Sequence, residues 1–208
     1  MPGLLIWDLD GTLIDSRADI AAAGNAARAA VGLDPLPVAT VSGFVGDGVE
    51  KLLERLIGDG DRVKAHEAFT RHYHAHCCDA TRPYAGIPEA LEVLTAAGWI
   101  HAVATNKPMA FSRRILDGIG LIHHFRGGVA GGDRHRKPDP RQLQDLLAGG
   151  EHDPAHAWMI GDHHTDIRAA RAAGLRMCWC AWGIGRDDGL PVDAVAQVPD
   201  DLLGILHA

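Results

Sequence analysis

The spacing of hydrophobic positions falls into two regimes that meet near residue 86. Leu4 to Asp8 is a short apolar run closed by a carboxylate, the pattern of a buried strand. Beyond it the apolar residues take a helical period. Ser16 with Asp19 three positions later resembles a capping box, and an Ala-rich helix is predicted to about Val31, with Gly32 as its stop. Val49, Leu52, Leu53, Leu56 and Ile57 form the stripe of a second helix. A third is predicted from Asp61 to about Cys78, with Ala65, Phe69 and Tyr73 on one face. No strand is predicted among these three helices, so residues 15–83 are expected to form a small α-helical cap inserted after the first strand.

From Gly86 onward helix and strand alternate. Helices are predicted over Pro88–Ala97, Pro108–Gly118, Pro140–Ala148 and Asp166–Ala173. Strands are predicted over Trp99–Thr105, Gly127–Gly131, Ala157–Gly161 and Leu175–Trp182. That alternation implies an α/β fold, a Rossmann-like doubly wound parallel sheet built from residues 1–14 and 84–208.

Composition narrows the class. Lys and Arg number 20 against 27 Asp and Glu, a formal charge of −7, which argues against nucleic acid or an anionic membrane as the main partner. Apolar residues at 47% suit a folded domain, and no apolar run approaches the ~18 residues of a spanning helix. The start has no basic segment ahead of its apolar run, and Cys77, Cys78, Cys178 and Cys180 form no C-x-x-C pair; a reduced cytoplasmic setting is expected. Monomer and homodimer both remain open.

In open parallel sheets ligands sit outside the carboxyl ends of the strands. The polar residues predicted there are Asp8, Asp10, Thr105, Asn106, Lys137, Asp162 and Asp166. Four carboxylates gathered around one lysine need a counter-charge, and a hard divalent cation held by oxygen ligands, Mg²⁺, is the simple remedy. Thr105 and Lys137 are donors suited to phosphoryl oxygens. Asp8 and Asp10, two positions apart on a strand, are placed to divide labour as nucleophile and general acid/base.

These residues carry a resemblance. Asp8-Leu9-Asp10-Gly11-Thr12, Thr105-Asn106-Lys107-Pro108, Lys137-Pro138 and Gly161-Asp162-x-x-x-Asp166 are similar, in order and spacing, to the four motifs of the haloacid dehalogenase superfamily. The resemblance implies that Asp8 attacks phosphorus and forms an aspartyl-phosphate, and that Asp10 protonates the leaving oxygen and later activates water. It implies that Asp8, the backbone carbonyl of Asp10, Asp162 and Asp166 serve Mg²⁺. Thr105, Lys137 and backbone N–H groups near Leu9, Asp10 and Asn106 would bind the phosphoryl oxygens. His163 departs from the serine that many members carry after Gly-Asp.

Within the superfamily, Phe44–Leu53, Arg82–Ile87 and Gly131–Asp133 resemble the phosphoglycolate phosphatases. This implies a small phosphorylated metabolite, 2-phosphoglycolate, as substrate, with the Gly46-Asp47-Gly48 turn offering backbone N–H groups to its carboxylate through Gly46 and Gly48. The competing readings are a phosphomutase of the β-phosphoglucomutase type and a degenerate binding domain; the latter predicts a lost catalytic residue, and none is missing. His72, His74 and His76 are read as cap-helix surface or packing, Cys178 and Cys180 as small buried hydrophobes, and Arg134, His135 and Arg136 as a solvated loop or an attractor of anions.

Overall fold

The structure, a computed structural model, describes residues 3–206. Its sheet is organised by β1 (Leu4–Trp7), four consecutive apolar residues with no exposed surface. A strand buried on both faces needs a central place, and β1 has it. It pairs in parallel with β4 (Ile100–Ala104) on one side and β6 (Ala157–Gly161) on the other. β5 (Val129–Ala130) extends the first side; β7 (Arg176–Cys180) and β8 (Ala194–Ala196) extend the second, all in parallel. The strand order β5-β4-β1-β6-β7-β8 reverses direction at β1, so the crevice of this fold opens at the carboxyl end of that strand.

The period of two divides the core. Leu5, Trp7, Val103, Ile160 and Cys178 face α5 (Ile87–Ala96), α6 (Met109–Gly118) and α9 (Asp201–Leu206). Leu4, Ile6, Ala102, Ala104 and Met159 face α7 (Arg141–Gly149) and α8 (His164–Ala173). Between β2 (Ile14–Asp15) and β3 (Arg82–Pro83), which pair antiparallel, lie α1 (Arg17–Ala30), α2 (Val38–Ser42), α3 (Val49–Ile57) and α4 (Arg62–His76). α1 is the hub of this helical unit, packing on the other three.

Several expectations are corrected. The unit has four helices rather than three, because Pro37 starts the short α2 that the stripe reading passed over. Strands β5 and β7 are shorter than predicted, since only part of each apolar run finds a partner. The Ser16–Asp19 capping box does not form. Ser16 Oγ instead donates to Asp10 Oδ1 (2.5 Å), and Asp19 accepts from Ala80 N, Thr81 N and Thr81 Oγ1. A buried carboxylate gains more from three donors than from one exposed helix end. A capping box does form at α8, between His163 and Asp166. Arg136 is no free anion attractor, since it pairs with Glu50 on α3.

His101 on β4 is 1% exposed and accepts a hydrogen bond from Trp7 Nε1 at 3.0 Å. Burial, with His124 nearby adding to it, pulls the ring down to about 4. The neutral ring is therefore favoured in the fold, whereas the unfolded chain takes up a proton below about 6.5. Stability from this site is complete above that value and falls by about 3 kcal/mol as pH drops from 6.5 toward 4. Denaturant titrations across that range check it: His101→Asn should flatten the slope, and an unchanged slope would contradict the assignment.

Candidate active site

β1 ends where its hydrogen bonding with β6 continues through Asp8 N, so the Asp8 carboxylate emerges at the crevice with a fixed backbone. Lys137 Nζ, from the loop before α7, donates to Asp8 Oδ1 (2.7 Å) and to the Ala104 carbonyl. It also lies 2.7 Å from Asp166 Oδ1, an oxygen with no hydrogen-bond partner of its own, so this contact is an ion pair out of line for a hydrogen bond. Asp162, at the end of β6, accepts from Thr12 Oγ1 (2.9 Å) and from Ile184 N and Gly185 N (2.8 Å each). Gly11 is required beside it. At φ +89 a Cβ there would stand 2.2 Å from Asp162 Oδ2.

Asp8, Asp162 and Asp166 bring one oxygen each within 4.8 Å of the others. Burial pushes Asp8 up to about 6 against the pull of Lys137, and burial with the charges of Asp8 and Asp166 pushes Asp162 up to about 7. Burial opposes the charge of Lys137, yet Asp166 and Asp8 hold it above its ordinary range. Three acids against one ammonium leave two negative charges uncompensated, the charge of one divalent cation. The donor set is all oxygen, and Asp166 Oδ1, ion-paired with Lys137 but accepting no hydrogen bond, adds to the fit; these residues suit a hard divalent ion.

Asp10 stands apart from this cluster. Its Oδ1 accepts from Ser16 Oγ and from Lys107 Nζ (2.7 Å), and Lys107 also donates to Tyr73 Oη at 2.7 Å. Burial works against the ammonium, but Asp10 and Tyr73 hold it above its usual range; burial likewise pushes the Tyr73 hydroxyl up. Counting Lys107 reduces the imbalance at the rim from three negative charges to two. Thr105 is buried and accepts from Lys107 N. Asn106 uses its whole amide as a brace: it donates to Gly46 O and Lys137 O and accepts from Lys137 N.

A cavity of about 280 Å³ covers these groups. Its floor is Asp8, Asp10, Thr105, Asn106, Lys107 and Asp162. Its roof is mainly apolar, with Ile20, Val45, Val49, Leu52 and Phe69, and Gly46 and Gly48 line one side.

Residues 5–180 match the family of haloacid dehalogenase-like hydrolases. The chain belongs to that family. It is 40% identical to a phosphoglycolate phosphatase of Cereibacter sphaeroides over 85% of this chain and 83% of that one. A phosphoglycolate phosphatase of Aquifex aeolicus is 34% identical over 98% and 96% of the two chains. The crystal structure of a predicted phosphoglycolate phosphatase from Haemophilus somnus superposes with a TM-score of 0.90 at 28% identity, covering 98% of this chain and 97% of that one.

In this haloacid dehalogenase-like hydrolase, every site residue named from the sequence except Lys137 and Asp166 lines the cavity; Lys137 pairs with Asp8, and Asp166 pairs with Lys137. Lys107, Tyr73, Thr12 and Gln142 had no role assigned from sequence. Gln142 Nε2 donates to the carbonyls of Thr105, Gly131 and His135, tying together the loops that carry Thr105 and Lys137. A lysine inside a strand-end motif and followed by proline was a signal for Lys107; nothing local marked Tyr73 or Gln142. His72 and His76 share a face as read, with ring centroids 4.6 Å apart, and join no metal-ligating group among the described residues. Cys178 is buried and its thiol is pushed up to about 12, as suits a small hydrophobe.

Proposed function

We propose that this hydrolase is a Mg²⁺-dependent phosphatase of small phosphomonoesters, with phosphoglycolate as its substrate. The observation that carries the reading is Asp8, held by Lys137 beside Asp162 and Asp166 under a covered cavity. The named relatives support the substrate. Asp8, Asp162 and Asp166, with the Asp10 carbonyl, would hold Mg²⁺, whose charge offsets the repulsion between an anionic nucleophile and a phosphoryl group.

Asp8 attacks phosphorus through the oxygen not held by Lys137. Lys137 and Thr105, with the N–H groups near Leu9, Asp10 and Asn106, meet the phosphoryl oxygens. Asp10 Oδ1 is occupied by Ser16 and Lys107, so Oδ2 delivers the proton to the leaving oxygen and then takes one from the water that opens the acyl phosphate. Gly46 and Gly48 offer backbone N–H groups to the substrate carboxylate. Residues 15–83 act as a cap over a core of residues 1–14 and 84–208, the β2–β3 ribbon being its tether, and closure keeps bulk water from the acyl phosphate.

The apolar roof favours a second reading, a phosphomonoester with a larger apolar body. Phosphate release over phosphoglycolate, sugar phosphates, nucleoside monophosphates, pyrophosphate and aryl phosphates separates the two. The expected result is the highest kcat/KM for phosphoglycolate, full loss in chelator and recovery on adding Mg²⁺. An aryl phosphate leading the panel would favour the second reading, isomerised sugar phosphate without free phosphate would indicate a mutase, and full activity in chelator would refute the metal.

A further inference from the structure

A second group of metal-ligating atoms lies outside the carboxylate cluster. Asp47, in the loop between α2 and α3, and His163 and His164, at the start of α8, bring one ligand atom each within 4.8 Å of the others. Two imidazoles and a carboxylate differ in kind from the oxygen set beneath the cavity, and they suit zinc-type ions rather than Mg²⁺.

The surroundings orient both rings. His163 Nδ1 is 3.0 Å from Thr165 Oγ1, and His164 Nδ1 is 3.4 Å from Asp188 Oδ2. Both Nδ1 atoms are thus engaged, His163 Nδ1 also accepting from Thr165 N at 3.4 Å, so Nε2 is the nitrogen left to bind; on binding, His163 Nδ1 would carry the proton and donate it to Thr165 Oγ1. The backbone brings the carboxylate to them. Gly46 has φ +126, and a Cβ on it would stand 2.5 Å from His163 Nε2, so only glycine lets this loop pass directly over the ring. Arg55 Nη2 holds Asp47 Oδ2 at 2.5 Å, fixing the carboxylate and leaving its other oxygen. Ligands in a tetrahedral zinc shell lie roughly 3.4 Å apart. Closing the difference would take a rotation of the His164 ring, which is 22% exposed and held only by the 3.4 Å contact with Asp188.

We propose that Asp47, His163 and His164 form a second metal site, for a divalent transition ion of the zinc type, that fastens the helical unit to the core when occupied. The ion would join the loop before α3 to the loop that carries Asp162, and so would slow opening of the cavity.

The test is equilibrium dialysis of Zn²⁺ against the full chain in saturating Mg²⁺, which keeps the carboxylate cluster filled. One Zn²⁺ per chain is expected. Asp47→Asn and His164→Ala should each weaken its binding at least tenfold, and Asp8→Asn should leave it unchanged. Zn²⁺ should also slow amide exchange across residues 43–48 in the unaltered chain and not in His164→Ala. Absence of retained zinc, equal retention by both folded variants, or loss on Asp8→Asn would overturn the proposal. None of these readouts depends on the identity of the substrate.

Discussion

Asp8→Asn should abolish phosphate release, with a loss of at least ~10³-fold, while the protein stays folded. The amide keeps the shape of the carboxylate and still accepts a hydrogen bond from Lys137, but it is no nucleophile. The same change removes one of three crowded buried acids, the one that burial pushes up to about 6. In chelator at neutral pH the variant should therefore melt no lower than the unaltered chain, because an ionised Asp8 costs folding energy there. Rapid acid quench should trap a phosphorylated protein from the unaltered chain and none from the variant. Substantial turnover by Asp8→Asn would end the covalent mechanism.

Lys137→Met acts in the opposite sense on stability. It leaves Asp8 and Asp166 buried without their counter-charge, and breaking such a pair costs about 3–5 kcal/mol. The loss should be largest in chelator and partly restored by Mg²⁺, which binds only the folded chain. Activity at saturating Mg²⁺ should still fall by about 2–4 kcal/mol in transition-state terms, the loss of one preorganised donor. In the double variant Asp8→Asn, Lys137→Met, removing the Asp8 charge should stabilise by more than it does in the unaltered chain, since groups in one network do not add. Chemical denaturation of the four proteins in chelator measures this, and strict additivity would show that the lysine is not there to balance the acids.

These two results divide the site into two pairs of charges with different purposes. Lys137 balances the buried acids Asp8 and Asp166, whereas Lys107 is spent on Asp10 and Tyr73. The second pair joins Asp10, in the turn after β1, to Tyr73 on α4 of the helical unit, so the roof and Asp10 are positioned together. His163 has a comparable double engagement. It caps α8, which keeps Asp166 in place, and its ring faces the Gly46 loop from below.

The sheet was legible because its strands are short apolar runs that each end at a chemically distinctive residue. Asp8, Thr105 and Asp162 mark the carboxyl ends of β1, β4 and β6, and parallel order alone brings three such ends to one edge. β8 and α9 were missed, since Ala194–Ala196 is too short to show a period and gains its place only by pairing with β7. The Ser16–Asp19 reading failed for a related reason: a local pattern was judged without knowing that Asp10, Ala80 and Thr81 would arrive beside it.

By itself the sequence determined the class of fold, the family, and which acids and donors share a rim, because these follow from periodicity and from motif order along one chain. Only the tertiary structure decided how the charges pair, which loops Asn106 and Gln142 tie together, and that Asp47 reaches His163 and His164. Each of those depends on residues distant in the chain coming within a few ångströms. Electrostatic and hydrogen-bond energies are fixed by that distance and by burial, and neither is written in local spacing.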